Sequence, residues 1–105
     1  MNPQFKKGVL ELCVLTMMSR KDYYGYELVE EISKILEISE GTLYPILRRL
    51  TDEKYFETYL QESSEGPPRK YYRITKPGKE FQKEQFKQWT DFNKQIEQLI
   101  GKEIK

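Results

Sequence analysis

Residues 39–50, SEGTLYPILRRL, are the stretch that decides the fold. Leu43, Leu47 and Leu50 stand at i, i+4 and i+7, which predicts a helix with one narrow apolar stripe. Ser39 suits its N-cap, with Thr42 three residues on. The opposite surface offers Thr42, Tyr44, Arg48 and Arg49, so this helix can bury one edge and present the rest. Pro45 is the oddity, because a proline inside a helix removes one backbone hydrogen bond and is tolerable only near the helix start.

Two further helices precede it. From Phe5 to Met18 the apolar residues Val9, Leu10, Leu12, Cys13, Val14, Leu15, Met17 and Met18 go most of the way round, as expected of a helix covered by several neighbours. A polar connection, Ser19 to Asp22, and the aromatic run Tyr23-Tyr24-Gly25-Tyr26 lead into a second helix from Glu27 to Leu36, with Leu28, Ile32 and Ile35 at helical spacing. Beyond Tyr55 the period changes from 3.6 to 2. Phe56, Thr58 and Leu60 alternate with Glu57, Tyr59 and Gln61, residues 63–68 (SSEGPP) interrupt, and Lys70, Tyr72 and Ile74 alternate with Tyr71 and Arg73. This predicts two strands joined by a tip loop. Thr75 can cap a last helix with Pro77 in its first turn, and nothing breaks that helix before Ile100. Trp89, Phe92, Ile96 and Leu99, spaced 3, 4 and 3, form a coiled-coil-like seam, and a long helix with an aromatic stripe needs a partner.

Composition narrows the function. A chain of 105 residues fits one modest core. There is no histidine and Cys13 is the only cysteine, which leaves no catalytic triad, no multi-cysteine metal site and no reason to expect a cofactor. Cys13 reads as a small buried hydrophobe. No catalytic residues are expected. The short apolar amino terminus is interrupted by Glu11 and lacks a cleavage site, so we expect a cytoplasmic protein with no membrane contact. The net charge of +1 argues mildly against nucleic acid, but placement matters more than total.

Three helices and then a two-stranded ribbon is the order of a winged helix-turn-helix, in which helix 3 enters the major groove and the ribbon tip touches flanking backbone. The fold class is therefore mainly α with a small β-hairpin (α+β). Arg48 and Arg49 lie on the reading helix, Arg69 and Lys70 beside the tip, and Tyr24 and Tyr26 where hydroxyls could meet phosphates. Each has a plainer reading: surface ion pairs for the arginines, packing for the tyrosines, a solubilised edge strand for Lys70 and Arg73. The competing class is a winged-helix protein-interaction module without direct DNA readout.

The stretches GVLELCVLTMMS, YYGYELVEEI, SEGTLYPILRRL and EGPPRKYYRIT, together covering residues 8–75, resemble the PadR family of bacterial transcription regulators. The resemblance implies a homodimeric repressor on a palindromic double-stranded operator, with residues 1–75 as the DNA-binding domain and 76–105 as a dimerisation helix. It implies Thr42, Tyr44, Pro45 and Arg49 on the reading helix, Gly66, Pro67, Pro68, Arg69 and Lys70 in the wing, and Tyr24 and Tyr26 against backbone. A small planar aromatic effector could stack at a seam of Trp89, Phe92, Ile96 and Leu99 against Val14 or Met18. The family pattern ends helix 3 on a glycine, whereas this chain reads Thr51-Asp52-Glu53-Lys54-Tyr55. Either Lys54 is strained in a left-handed conformation or the turn differs.

Overall fold

The computed structural model describes residues 3–104, with side chains from Gly8 to Gly101. The elements run α1 (Pro3–Met18), β1 (Tyr23–Tyr24), α2 (Gly25–Ile35), α3 (Glu40–Asp52), β2 (Phe56–Ser63), β3 (Gly66–Ile74) and α4 (Lys76–Ile104). α1 is central: Leu10, Val14, Leu15 and Met18 are buried in one cluster with Leu28, Val29 and Ile32 of α2 and Leu43, Ile46, Leu47 and Leu50 of α3. The stripe read from residues 39–50 is therefore the edge that α3 buries, widened by Ile46.

Ser39 holds the N-cap position of α3, but its hydroxyl caps no backbone N–H; it bonds the Thr42 hydroxyl at 3.2 Å instead. Pro45 lies in the second turn, exposed. At the far end the Tyr55 N–H donates to the Leu50 carbonyl at 2.9 Å and the Lys54 N–H to that of Thr51 at 3.0 Å. That is the paired closure of a Schellman motif, with Lys54 in the left-handed position at φ 70°. Of the two alternatives at the missing glycine, the turn is kept and a lysine bears the strain.

The sheet has three strands in the order β1-β3-β2, all antiparallel. The sequence reading found only the hairpin. Tyr23 and Tyr24 form a two-residue strand opposite Tyr72 and Tyr71, too short for any alternation to show. The hairpin is also tighter than expected: Ser63 pairs with Gly66, so the tip is Ser64-Glu65 and the glycine opens β3. Pro67 and Pro68 sit inside that strand, where the register slips between Gln61 and Ser63. A bulge is where a sheet can accept residues without an N–H. Phe56 and Ile74 pair at the base and are buried, whereas Leu60, farther out, is 70% exposed. The alternation therefore marks two faces of a ribbon that leaves the core, not an inside and an outside.

α4 begins against the end of α3. The Thr75 hydroxyl accepts the Gly78 N–H at 3.1 Å and donates to the Lys54 carbonyl at 2.7 Å. A β-carbon on Gly78 would stand 2.2 Å from the Tyr55 carbonyl oxygen, so only glycine permits this approach. Phe81 stacks on Tyr55 with ring centroids 4.3 Å apart, and Gln82 Nε2 donates to Thr16 Oγ1 at 3.1 Å. After that α4 projects, and the molecule is 54 Å long.

Candidate nucleic-acid interface

Two clefts flank the ribbon, because facing residues of antiparallel strands share a face and neighbours along a strand do not. On the face toward α3, Lys70 and Tyr72 close a cleft of about 250 Å³ with Tyr44, Arg48, Thr51 and Asp52. Arg48 is exposed and, among the described residues, makes no ion pair. The Lys70 ammonium lies 5.5 Å over the Tyr72 ring. Tyr44 is half-buried, and burial, with Glu40 nearby, raises its phenol above the ordinary value, so the hydroxyl stays a hydrogen-bond donor at neutral pH. Two cations, one carboxylate (Asp52) and a neutral phenol thus line a concave surface between helix and wing.

On the outer face Tyr24, Tyr71 and Tyr59 stand in register across the three strands, with ring centroids 5.9 and 5.6 Å apart. Arg69 sits 5.2 Å over the Tyr24 ring. Tyr26, exposed, adjoins them, but Glu27, Glu30 and Glu31 share that cleft. The Tyr59 hydroxyl donates to Asp22 at 2.7 Å and Arg73 pairs with Glu57 at 3.0 Å, which braces the ribbon. Gly25 joins the two groups: a β-carbon there would come within 3.1 Å of the Tyr72 ring and 3.6 Å of Tyr44. Thr42, Pro45 and Gly66 are exposed.

Three residues lie elsewhere than the sequence reading put them. Arg49 turns from the open surface of α3 to α1, where it pairs with Glu11, and with Glu53 one turn on at 3.0 Å. Adjacent helical residues point about 100° apart, which lets Arg49 turn to α1 while Arg48 stays on the open side. Val14 and Met18 are fully buried in the core and cannot line a seam between subunits. The open face of α1 is instead Val9, Leu12, Cys13, Thr16 and Met17, which with Ile32, Ile35, Leu36, Phe86 and Trp89 border an apolar groove of about 360 Å³. Burial raises the Cys13 thiol above its ordinary pKa. Trp89, Phe92 and Leu99 are exposed, and Ile96 is half-buried.

The sequence pattern of the transcriptional regulator PadR-like family matches residues 14–84, from mid-α1 into α4. The chain belongs to that family. PadR-like proteins are transcriptional regulators, not enzymes, and this one is accordingly a DNA-binding regulator with a winged-helix fold. It is similar to a solved Streptococcus transcriptional regulator at 36% identity, covering 93% of this chain and 98% of that one, with a TM-score of 0.85. A PadR-like transcriptional regulator from Bacillus cereus is 41% identical over 92% and 96% of the two chains, with a TM-score of 0.82. Transcriptional regulator YqjI of Escherichia coli is 30% identical over 105 residues, and the chain spans only 45% of its length. No described helix of this PadR-like chain is long and apolar enough to cross a membrane, and no described group of acidic or cysteine residues could hold a metal.

Proposed function

We propose that this PadR-like regulator acts as a twofold homodimer that represses transcription from a palindromic operator. Residues 1–75 form the DNA-binding unit and residues 76–105 the dimerisation helix. The observation that carries the reading is the pair of cations, Arg48 and Lys70, that face each other across the cleft between α3 and the wing and make no ion pair among the described residues, although the Asp52 carboxylate lines the same cleft. α3 would lie in the major groove with Thr42, Tyr44 and Pro45 toward the bases and Arg48 against a phosphate at the groove edge, while Gly66, Arg69 and Lys70 of the wing and Tyr24 and Tyr26 meet flanking phosphates. Twofold symmetry would present the two copies of α3 roughly 34 Å apart, one helical turn of DNA. Footprinting the purified protein on its own upstream region tests this: an inverted repeat protected at that spacing is the expected result, and a single unrepeated patch contradicts the symmetry.

Dimerisation would cover the exposed Trp89, Phe92 and Leu99, which a soluble surface of this size has little reason to display otherwise. A small planar aromatic effector would sit in the apolar groove against Trp89 and Phe86, facing Leu12 and Cys13, and relieve repression by tilting the wings. Titrating planar aromatic compounds while following Trp89 fluorescence should show saturable quenching; a flat response across a broad panel removes the effector and leaves DNA binding intact.

One observation favours a second reading. Glu27, Glu30 and Glu31 beside Tyr26 suit a basic protein surface better than a phosphate. Full operator affinity with an unchanged salt dependence in Arg69→Ala would assign that face to a protein partner instead of to the duplex.

A further inference from the structure

The two adjacent arginines of α3 occupy different environments. Arg48 is exposed beside Lys70. Arg49 is held between helices: its guanidinium pairs with Glu11 of α1 and with Glu53 at the end of α3, with side-chain exposures of 35%, 21% and 48% respectively. Its Nε and Nη2 atoms are shielded from water. A planar fork that engages two carboxylates from two elements fixes an angle as well as a distance, which a lysine cannot do.

We infer that Arg49 is a positioning residue: through Glu11 and Glu53 it sets the tilt of α3 on α1, and of the two arginines only Arg48 lends its charge to the DNA. The inference rests on the DNA-binding reading of α3. Glu11 immediately precedes Leu12 and Cys13, which border the apolar groove. Whatever fills that groove bears on the same turn of α1 that anchors Arg49, so the pair connects the groove to the reading helix. A phosphate could recruit Arg49 only by stripping two carboxylates from it, and the shielded Glu11 would be left unpaired.

The test uses duplexes that the wild-type protein selects from a randomised pool, with the unselected pool as control. At about 15 °C, where the variants stay folded by circular dichroism, Arg49→Gln should lower affinity for the selected duplex about tenfold, the loss that about 1.4 kcal/mol of misalignment gives. Its dependence of log affinity on log salt should match the wild type. Arg48→Gln should flatten that dependence by about two units per dimer, one phosphate contact per subunit. Arg49→Lys, which keeps the charge, should behave as Arg49→Gln. Glu11→Gln combined with Arg49→Gln should lose no more affinity than either alone.

A salt dependence flattened by Arg49→Gln, or wild-type affinity in Arg49→Lys, would overturn the inference in favour of a direct contact. Unchanged affinity for the selected duplex, with only the melting temperature lowered, would reduce Arg49 to a purely structural role and overturn it equally. If the wild type enriches no duplex, sequence-specific binding falls. The salt dependences on the unselected pool then still decide whether Arg49 or Arg48 carries the contact.

Discussion

Lys54 and Gly78 show how single residues set the joints of this fold. Lys54 carries a left-handed φ of 70°, a conformation that costs a side chain roughly 1–2 kcal/mol, while glycine's extra freedom in the unfolded chain offsets about 0.5–1. Lys54→Gly should therefore stabilise by about 0.5–1 kcal/mol and raise the melting temperature by about 2–6 °C. A lower melting temperature would mean that the lysine makes contacts worth more than its strain. Gly78→Ala goes the other way. Its β-carbon would meet the Tyr55 carbonyl at 2.2 Å and Ile74 Cγ1 at 2.7 Å, so α4 must shift from its seat, at a cost of about 2–3 kcal/mol in denaturant unfolding. Cys13 offers a test by pH. Burial disfavours the thiolate and raises the pKa, so at pH 8 less of Cys13 is ionised than of a free cysteine. Its alkylation should be slower than that of a model thiol, with the rate still climbing above pH 9.

The elements divide by what surrounds them. α2 and α3 were legible because each buries one edge: Leu28 with Ile32, and Leu43 with Leu47 and Leu50, repeat at helical spacing. α1 was legible as a helix but not in orientation. It is apolar on nearly every side, and periodicity cannot tell the stripe inside the monomer, Val14 and Met18, from the one that faces out, Leu12, Cys13 and Met17. β1 left no signal because two residues cannot display a period. Tyr59 on Asp22 and Arg73 on Glu57 tie the ribbon together with pairs of residues 37 and 16 positions apart. At this scale the wing can be tested without disturbing the core. Arg69→Ala should leave unfolding within about 0.5 kcal/mol of wild type, since exposed substitutions rarely do more. In the dimer it should flatten the salt dependence of DNA binding by about two units, one per wing. An unchanged dependence would take the wing off the phosphates.

For the molecule as a whole, the exposed aromatic stripe of α4 is the surface on which the proposed dimer depends. Leu99 is 78% exposed and Phe92 52%, so replacing them removes nothing from the monomer core. Leu99→Asp or Phe92→Asp should leave the fold intact by circular dichroism yet shift sedimentation from dimer to monomer, and operator affinity should fall with it. A variant that stays dimeric would place the interface elsewhere on α4 or on α1.

Residue order and local chemistry alone determined the winged helix-turn-helix and the capped last helix at Thr75, because each depends on neighbours within a few positions along the chain; the left-handed turn at Lys54 was implied only by the family resemblance, as one of two alternatives. Tertiary structure decided which of two consecutive arginines is free, which face of α1 is open, and that Tyr23-Tyr24 joins the sheet. Those outcomes depend on Glu11, Trp89 and Tyr72, partners whose distance along the chain leaves no mark on local periodicity and whose proximity exists only once the core has closed.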